Sequence, residues 1–313
     1  MKALVVDGRL AFVKEHAQPI PDADQTLLKI RKAGICNTDL EIVSGYGGFA
    51  GILGHEFVAD AITGTLSGRR VVGEINVACR GCDFCLRGLP THCRNRTTVG
   101  IRKHPGAFAE YLALATLNLH PLPDSISDDA AVFVEPLSAA LQVLETVHIS
   151  PQRTVVLIGA GKLGLLVAQV IHLTGAHLKV IVRRSKPAQL LQSWGIQAFE
   201  RDMVEAQSAD IVIDCTGTQD GFADALALVK PRGTIVLKST YVGFAQVDMS
   251  KLVVDEIAVV GSRCGRFAPA IRLLESGLID TESLIEGRFS IDDGLLAFER
   301  AAQPGALKYL LEF

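Results

Sequence analysis

Residues 154–175 decide the fold: TVVLIGAGKLGLLVAQVIHLTG reads as an apolar strand, a glycine-rich turn and a helix with an apolar face. In a G-x-G-x-x-G turn the glycines permit the tight turn, let the backbone approach a pyrophosphate and let the helix pack on the strand. The N-terminus of that helix then directs its N–H groups at the phosphates. Because the turn stands between a strand and a helix, we predict a dinucleotide site rather than a mere glycine-rich turn. The residues predicted to contact the cofactor here are Gly159, Gly161, Lys162, Leu163 and Gly164.

Around this stretch the chain alternates apolar strands with amphipathic helices from Pro151 onward. Strands that alternate with helices predict parallel βαβ units and a doubly wound sheet. The predicted strands are Thr154–Ile158, Leu178–Val182, Ala209–Cys215 and Thr234–Ser239. The predicted helices are Leu163–Leu173, Ala188–Trp194 and Phe222–Val229.

The part before this region has a different pattern. Residues 1–75 contain short β-like runs separated by Gly, Pro and Asp, such as Ala3–Val6, Leu27–Arg31 and Arg70–Val72, which indicates a mainly β domain. The tail after about Ile285 returns to short mixed elements and could pack back on that first domain. We therefore predict an α/β protein with a mainly β domain over 1–134, a cofactor domain over 135–284 and a return segment over 285–313.

Composition and charge exclude several classes of protein. The 313 residues are 49% hydrophobic and 21% charged with a net charge of −3, which is ordinary for a globular enzyme and gives no basic surface for nucleic acid. No run reaches the roughly 18 apolar residues of a membrane span. Asp7 and Arg9 interrupt the apolar start, so the N-terminus does not read as a signal peptide. We expect a cytoplasmic protein, in which cysteines favour metal ligation over disulfides.

Four of the seven cysteines follow the spacing C-x2-C-x2-C-x7-C. Four thiolates complete the tetrahedral coordination of zinc and leave no open position, so such a site is structural. Unrelated surface cysteines, two disulfides and a nucleic-acid-binding zinc ribbon are the alternatives, and the acidic balance disfavours the ribbon. The predicted ligands are Cys79, Cys82, Cys85 and Cys93.

A second set of metal ligands is drawn from three separate segments. A catalytic zinc needs three protein ligands and a fourth position for water or substrate. Cys36, His55 and Glu135 would make such a set. Taken alone each residue is a weak signal, because a lone cysteine is usually a small core residue.

The order of several motifs resembles the medium-chain zinc-dependent alcohol dehydrogenase family. These are GICNTDL, GHEFVA, the four-cysteine segment, EPLSAAL, GAGKLG and DCTG, which together cover essentially the whole chain. The resemblance implies a GroES-like catalytic domain with a Rossmann domain inserted before its last segment. The EPLS string resembles the sorbitol, threonine and butanediol dehydrogenase branch, in which a glutamate replaces a cysteine near the metal.

The resemblance also implies roles for individual residues at the metal. Cys36 and His55 are similar to the two fixed zinc ligands, and Glu135 to the third, either directly or through water. Glu56 follows the histidine as in the family, where it can approach the metal and exchange with solvent. Whether Glu135 or Glu56 ligates the metal directly stays open. With the four-cysteine site, the resemblance implies one catalytic and one structural zinc ion per chain.

Three further residues on this resemblance concern the histidine ring and the substrate proton. Asp39 matches a carboxylate that would hold the ring of His55 in its ligating tautomer. Thr38 matches the hydroxyl that passes the alcohol proton outward. Many relatives carry a histidine where this chain has Glu41, which could act as a weaker base or could be a solvated surface carboxylate.

The end of the second Rossmann strand distinguishes between the two nicotinamide cofactors. A site for NAD normally places an acidic residue there for the ribose 2′-hydroxyl, whereas this chain has Arg183, Arg184 and Ser185. Guanidinium groups can hold the 2′-phosphate of NADP, so we predict NADP(H) over NAD(H). Two solvated arginines at an indifferent site are the alternative. Thr216, in DCTG, resembles the segment beside the nicotinamide ribose, while Cys215 and Cys264 are predicted as small buried residues.

The sequence thus predicts an oxidoreductase that acts on a small-molecule alcohol or polyol, or on the corresponding carbonyl compound. The alternative is a family member that has lost its chemistry and acts as an NADPH-binding or structural protein. The family resemblance also implies a homodimer or homotetramer. The sequence does not specify the substrate or the physiological direction, because function lies in the site rather than in the fold.

Overall fold

The computed structural model describes residues 1–240, 244 and 246–313, and it divides the chain into two compact units. Unit 1 comprises 1–135 and 267–313, and unit 2 comprises 136–266. Among the described residues, no helix is long and apolar enough to cross a membrane.

Unit 1 begins with short strands that the Gly- and Pro-rich connections separate. Its strands before unit 2 are β1 Ala3–Asp7, β2 Arg9–Val13, β3 Gln25–Gly34, β4 Gly51–Ile52, β5 Glu56–Ala61, β6 Arg70–Gly73, β7 Asn76–Val77, β8 Thr97–Thr98, β9 Tyr111–Ala115 and β10 Leu119–Pro121. Its helices in the same part are α1 Asn37–Val43, α2 Asp83–Leu86, α3 Asp128–Val132 and the first two residues of α4 Val134–Thr146.

Unit 2 contains the alternating strands and helices that the sequence predicts. Its strands are β11 Thr154–Ile158, β12 His177–Ile181, β13 Gln197–Phe199, β14 Ala209–Asp214, β15 Val229–Leu237 and β16 Ala258–Gly261. Its helices are the rest of α4, α5 Lys162–His172, α6 Ser185–Ser193, α7 Gln219–Leu228 and α8 Met249–Val254. Each predicted strand and helix of this region is present within a few residues of its predicted ends, except that β15 begins at Val229, earlier than predicted.

The chain then returns to unit 1 with α9 Phe267–Glu275, β17 Ile285–Ser290, α10 Gly294–Ala301 and β18 Lys308–Glu312. The return therefore begins at Phe267, earlier than the predicted residue 285. Helix α9 belongs to unit 1 because it packs on α3 and because the Phe267 ring lies 5.6 Å from the His120 ring. Amphipathic helices occur in both types of domain, so the sequence pattern alone could not assign α9 to unit 1.

The main sheet of unit 1 brings distant parts of the chain side by side. Its strand order is β10-β6-β5-β3-β18-β17, and β9 also pairs with β3. Strand β3 alternates buried Leu28 and Ile30 with exposed Lys29 and Arg31, which is the period-2 pattern of a sheet with one face on the core. Register matters at its end, where Gly34 is paired on one side with Glu56 and on the other with Leu310.

The sheet of unit 2 is parallel among the described residues, in the order β13-β12-β11-β14-β15-β16. This is the doubly wound 3-2-1-4-5-6 order, in which ligands bind beyond the carboxyl ends of the strands. Its strands are buried on both faces, as the fully buried Val155, Val156 and Leu157 illustrate. The predicted fold class, a mainly β domain with a Rossmann domain, is confirmed.

Candidate functional site

The four cysteines of the lobe, residues 79–93, lie together at the surface of unit 1. The Sγ atoms of Cys82 and Cys85 are 3.5 Å apart, those of Cys82 and Cys93 3.8 Å, and those of Cys79 and Cys93 3.4 Å. These separations exceed the roughly 2.05 Å of a disulfide and approach the roughly 3.8 Å edge of a tetrahedron with about 2.3 Å zinc–sulfur bonds. The donor set therefore fits a tetrahedral zinc ion.

The backbone of the lobe favours the thiolate form that a metal requires. The N–H group of Gly81 is the largest cause that lowers the pKa of Cys79, to about 6. The N–H group of Arg94 is the largest cause that lowers the pKa of Cys82. Desolvation raises the pKa of Cys85 to about 12, a cost that a bound cation removes because it stabilises the thiolate directly.

A second group of donors is buried in unit 1. Cys36, His55 and Glu56 place one donor atom each within 4.8 Å of the others. Cys36 precedes α1, His55 follows the turn at Gly54, and Glu56 begins β5. The turn requires glycine because the φ of Gly54 is +94° and because a side chain there would collide with the Phe108 ring.

Asp39 holds these segments together. Its carboxylate is fully buried and accepts the N–H of Cys36 at 2.8 Å, which closes the first turn of α1, and the N–H of Gly54 at 3.3 Å. Oδ1 of Asp39 also lies 3.3 Å from Nδ1 of His55, although the angles do not make a hydrogen bond, so this buried nitrogen has no aligned partner. One carboxylate thus fixes the backbone at Cys36 and at Gly54, the residue before His55.

The charges around His55 suit a cation. Burial opposes protonation of the ring, but the Asp39 carboxylate and the Cys36 sulfur together outweigh it and raise the pKa of His55 well above its ordinary value. A pocket whose surroundings favour positive charge at a histidine is one in which a metal ion can supply that charge. The three donors, sulfur, nitrogen and oxygen, are ligand types that zinc accepts, and three of them leave a fourth position.

Lys308 completes the electrostatics of this buried group. Its Nζ donates to Oε2 of Glu56, and both side chains are almost fully buried. Burial lowers the pKa of Lys308, but Glu56 is the strongest of the charges that reverse this effect and leave that pKa raised. Sequence reasoning missed Lys308, because a lysine at the start of an apolar strand reads as a surface residue.

The remaining residues predicted for the metal region are placed as follows. Glu135, half-buried at the start of α4, lies outside the 4.8 Å group, so its role as third ligand stays a prediction. Thr38 lies half-buried in the first turn of α1. Glu41 lies one turn further on, and burial raises its pKa, which does not fit a fully solvated carboxylate.

The glycine-rich turn of unit 2 has the geometry of a pyrophosphate cradle. Gly159 has φ +95°, and a side chain there would meet the backbone of Cys215 at 2.8 Å. A side chain at Gly164 would collide with the carbonyl of Gly159, so only glycine lets α5 approach the strand this closely. A Cβ at Gly161, the N-cap of α5, would meet nothing within 4 Å, which leaves open space before the helix. The cradle therefore fits a dinucleotide.

The other predicted cofactor residues also lie at the carboxyl ends of the strands. Thr216 follows β14 and donates from N and Oγ1 to Oδ1 of Asp214, at 2.9 and 2.8 Å. Lys162 and Leu163 open α5. Cys215 and Cys264 are half-buried and lie in neither metal-ligand group of the described residues.

The predicted phosphate residues line a cleft of about 1010 Å³ in unit 2. Arg183, Arg184 and Ser185 are exposed and line the cleft, with Ser185 as the first residue of α6. Arg201 and Asp224 line the same cleft, and their side chains form an ion pair at 3.0 Å. Sequence reasoning missed these two residues, since nothing in the local pattern after β13 indicates a ligand.

Comparisons with known proteins match both parts of the chain. Residues 22–124 match the alcohol dehydrogenase GroES-like domain, and residues 163–276 match the zinc-binding dehydrogenase model. D-arabinitol dehydrogenase 1 of Uromyces fabae is 30% identical over 93% of this chain and 90% of its own.

Two solved structures are similar over nearly their whole length. A Sinorhizobium meliloti protein described as a zinc-binding dehydrogenase and bound to NADP has a TM-score of 0.91 and 26% identity, covering 100% of this chain and 99% of its own. An Escherichia coli alcohol dehydrogenase complexed with NADH has a TM-score of 0.91 and 25% identity with the same coverage.

Proposed function

The chain belongs to the zinc-dependent medium-chain alcohol dehydrogenase family, and on this premise we propose that it transfers a hydride between an alcohol or polyol, or the corresponding carbonyl compound, and NADP(H). The observation that carries the proposal is the buried group of Cys36, His55 and Glu56, in which three donors of different kinds converge and one coordination position remains. A polyol substrate is supported by the arabinitol dehydrogenase relative and by the EPLS string.

The residues of the buried group have distinct tasks in this proposal. Cys36 and His55 hold a zinc ion, with Glu56 or Glu135 as the exchangeable third ligand. Bound zinc supplies Lewis-acid activation of the substrate oxygen, and the nicotinamide accepts or donates the hydride. Thr38 accepts the proton that the substrate hydroxyl loses and passes it toward solvent.

We further propose that zinc occupies the four-cysteine lobe as a structural ion, so that each loaded chain holds two ions. The sulfur separations of 3.4 to 3.8 Å support this assignment. The lobe supplies four protein ligands and no free position, so its ion stabilises the fold and does not reach the substrate.

The preference for NADP(H) rests on charge. Arg183 and Arg184 stand where a carboxylate would select NAD, and Ser185 opens the following helix with its N–H donors. A guanidinium pair can bind a 2′-phosphate in bidentate fashion. One of the two similar structures holds NADP and the other holds NADH, so they do not distinguish the cofactors. The proposed preference therefore depends on Arg183, Arg184 and Ser185.

The test follows nicotinamide absorbance with the zinc-loaded protein against alcohols, polyols, hydroxy amino acids, ketones and aldehydes. We expect turnover of a secondary alcohol or polyol, or of its carbonyl product, faster with the phosphorylated cofactor. Equal rates and affinities with both cofactors would overturn the preference for NADP(H).

The alternative hypothesis, that this chain is a family member that has lost its catalytic activity, predicts a different set of results. It would show no turnover on any compound of the panel and one zinc ion per chain, in the lobe. Two ions per chain together with turnover exclude it. A Cys36→Ser variant, which removes one donor of the buried group only, is the matched control for both measurements.

We also propose a homodimer that forms through strand β16 of unit 2. Among the described residues β16 pairs only with β15, and Val259 on it is 39% exposed, beside exposed Val253 and Val254 on α8. An unpaired apolar edge is a template for strand addition, and a two-fold axis closes the pair. Light scattering tests this: Val259→Lys is expected to give monomers, and exposed Leu117→Lys in unit 1 no change. If the Val259→Lys variant keeps the molecular mass of the wild-type assembly, strand β16 does not form the dimer interface.

A further inference from the structure

Besides Arg183 and Arg184, the cleft is lined by residues that follow β13, the strand next to β12, and by a residue of α7. These are Glu200, Arg201 and Asp202 from the first segment and Asp224 from the helix. The three carboxylates of this part of the lining would repel a phosphate, and Arg201 is the cation among these four residues. The charge of Arg201 therefore offsets part of the repulsion that an anion would meet in the cleft.

Arg201 is held in a fixed orientation. Its Nε donates to Oδ1 of Asp224 at 3.0 Å, and its Nη1 donates to the carbonyl of Val204 at 3.2 Å. The side chain is about one third exposed and lines the cleft. Among the described residues, these two bonds leave the donors of Nη2 for a ligand. A guanidinium fixed in this way loses little conformational entropy when it binds an oxyanion.

We propose that Arg201, oriented by Asp224, is a specificity-determining residue that contacts the 2′-phosphate of NADP(H) in the cleft that it lines together with Arg183 and Arg184. This inference rests on the proposed preference for NADP(H) and adds the third cation that closes the phosphate site. Without Arg201, Arg183 and Arg184 would act beside carboxylates of the lining that no neighbouring cation offsets. With it, three cations of the lining bind the phosphate, and Asp224 serves as the positioning residue of Arg201.

The experiment measures the affinities of adenosine 2′,5′-bisphosphate and of 5′-AMP for the full-length, zinc-loaded protein by calorimetry. These two probes differ only in the 2′-phosphate. We expect the wild-type protein to prefer the bisphosphate, and Arg201→Met to weaken it by about tenfold or more while 5′-AMP changes by less than about twofold. Arg201→Lys, which keeps the charge without the planar fork, is expected to fall between the two.

Arg153→Met is the matched control. Arg153 precedes β11, at the opposite end of the strands, and also pairs with an aspartate, Asp210, at 3.8 Å. The variant removes the same charge from the same unit and is expected to leave both affinities unchanged. If Arg153→Met and Arg201→Met lose equal affinity for the bisphosphate, the affinity depends only on the net charge of the protein, and the proposal is overturned.

The outcomes separate this inference from the function on which it rests. If the wild-type protein binds both probes equally, the preference for NADP(H) itself fails. If the wild-type protein prefers the bisphosphate and Arg201→Met keeps that preference, only the role of Arg201 fails. If Arg201→Met weakens both probes to the same degree, Arg201 supports the cleft as a whole and does not read the phosphate, which also overturns the inference.

Discussion

The two groups of candidate metal-ligand residues in unit 1 are built in opposite ways. The lobe takes all four sulfur atoms from the fifteen residues 79–93, at a surface where Cys79 is exposed. The buried group takes Cys36 from before α1 and two donors from the start of β5, where His55 is 3% and Glu56 1% exposed. One site is local and lies near the surface, whereas the other exists only once the sheet has formed.

This difference determines how each site balances its charge. Near the lobe, Asp83 and Arg94 form an ion pair with both partners exposed, which contributes little. The buried group has charged partners that water cannot screen, namely Asp39 and Lys308. A site inside the protein must supply its own compensating charges, and these constrain the backbone around it.

The largest effect is expected from removing the sulfur donor of the buried group. Cys36→Ser should lower kcat/KM by about a thousandfold, which is about 4 kcal/mol of transition-state stabilisation, because the Lewis acid is lost or misplaced. Zinc analysis should give one ion per chain instead of two. Activity within tenfold of the wild type would show that this group is not the reaction centre.

The local site is the one that the sequence could predict in full. The spacing of the four cysteines constrains their positions because few residues separate them, and the glycines at 159, 161 and 164 likewise act within one turn. The positions of Cys36 and His55 in a single cluster needed the family resemblance, because no local pattern links α1 to β5. The bond from Cys36 N–H to Asp39, three residues on, and the adjacency of His55 and Glu56 are local features of that cluster.

Long-range partners could not be predicted for a physical reason. Lys308 reaches Glu56 from a strand 252 positions away in the chain, and a lysine is assigned to the surface unless its partner is known. Arg201, which follows β13, likewise bonds to a residue that is distant in the chain, Asp224 on α7. For Glu135 the motif is recognisable in the sequence. Its distance from Cys36 and His55 could not be predicted, because that distance depends on how the whole of unit 1 folds.

The next largest effect is expected from removing the buried positive charge beside Glu56, on which the buried group depends and the lobe does not. Lys308→Met should destabilise the zinc-free protein by about 3–5 kcal/mol, because it leaves Glu56 buried without its cation. The loss should be smaller in the zinc-loaded protein, where the metal supplies a positive charge nearby. Denaturant unfolding with and without a chelator measures both values.

A second variant tests the cause of that loss. Lys308→Met combined with Glu56→Gln removes both charges, so most of the lost stability of the zinc-free protein should return. If the double variant is as unstable as the sum of the single variants, the lysine acts by packing and not by charge. The charge-balance argument for the buried group would then fail.

Removing one ligand of the lobe should give a smaller loss of stability and leave the chemistry intact. Cys93→Ser is expected to lower the free energy of unfolding by about 3 kcal/mol, since metal binding contributes to folding there. Thermal unfolding and zinc content measure this, and kcat per folded chain should stay within about twofold. Unchanged melting temperature together with unchanged zinc content would contradict the structural assignment.

The smallest effects come from one matched pair of glycines, one in each region. A Cβ at Gly34 would stand 2.7 Å from Oε2 of Glu56 and 2.7 Å from Cγ1 of Val132, because the pair of Glu56 and Lys308 uses the space that this glycine leaves. A Cβ at Gly81 would meet only the carbonyl of Cys79, at 3.8 Å. Gly34→Ala should therefore cost about 2 kcal/mol of stability and weaken zinc binding at the buried group.

Gly81→Ala should change stability by less than about 0.5 kcal/mol, because its backbone N–H still faces Cys79 and its new methyl group points into solvent. Denaturant unfolding of the two variants side by side, with zinc titration of each, makes the measurement. Equal losses would mean that the buried group has as much freedom to adjust as the lobe. A loss confined to Gly34→Ala would show that the interior site depends on a close fit between strands β3, β5 and β18, which the lobe does not need.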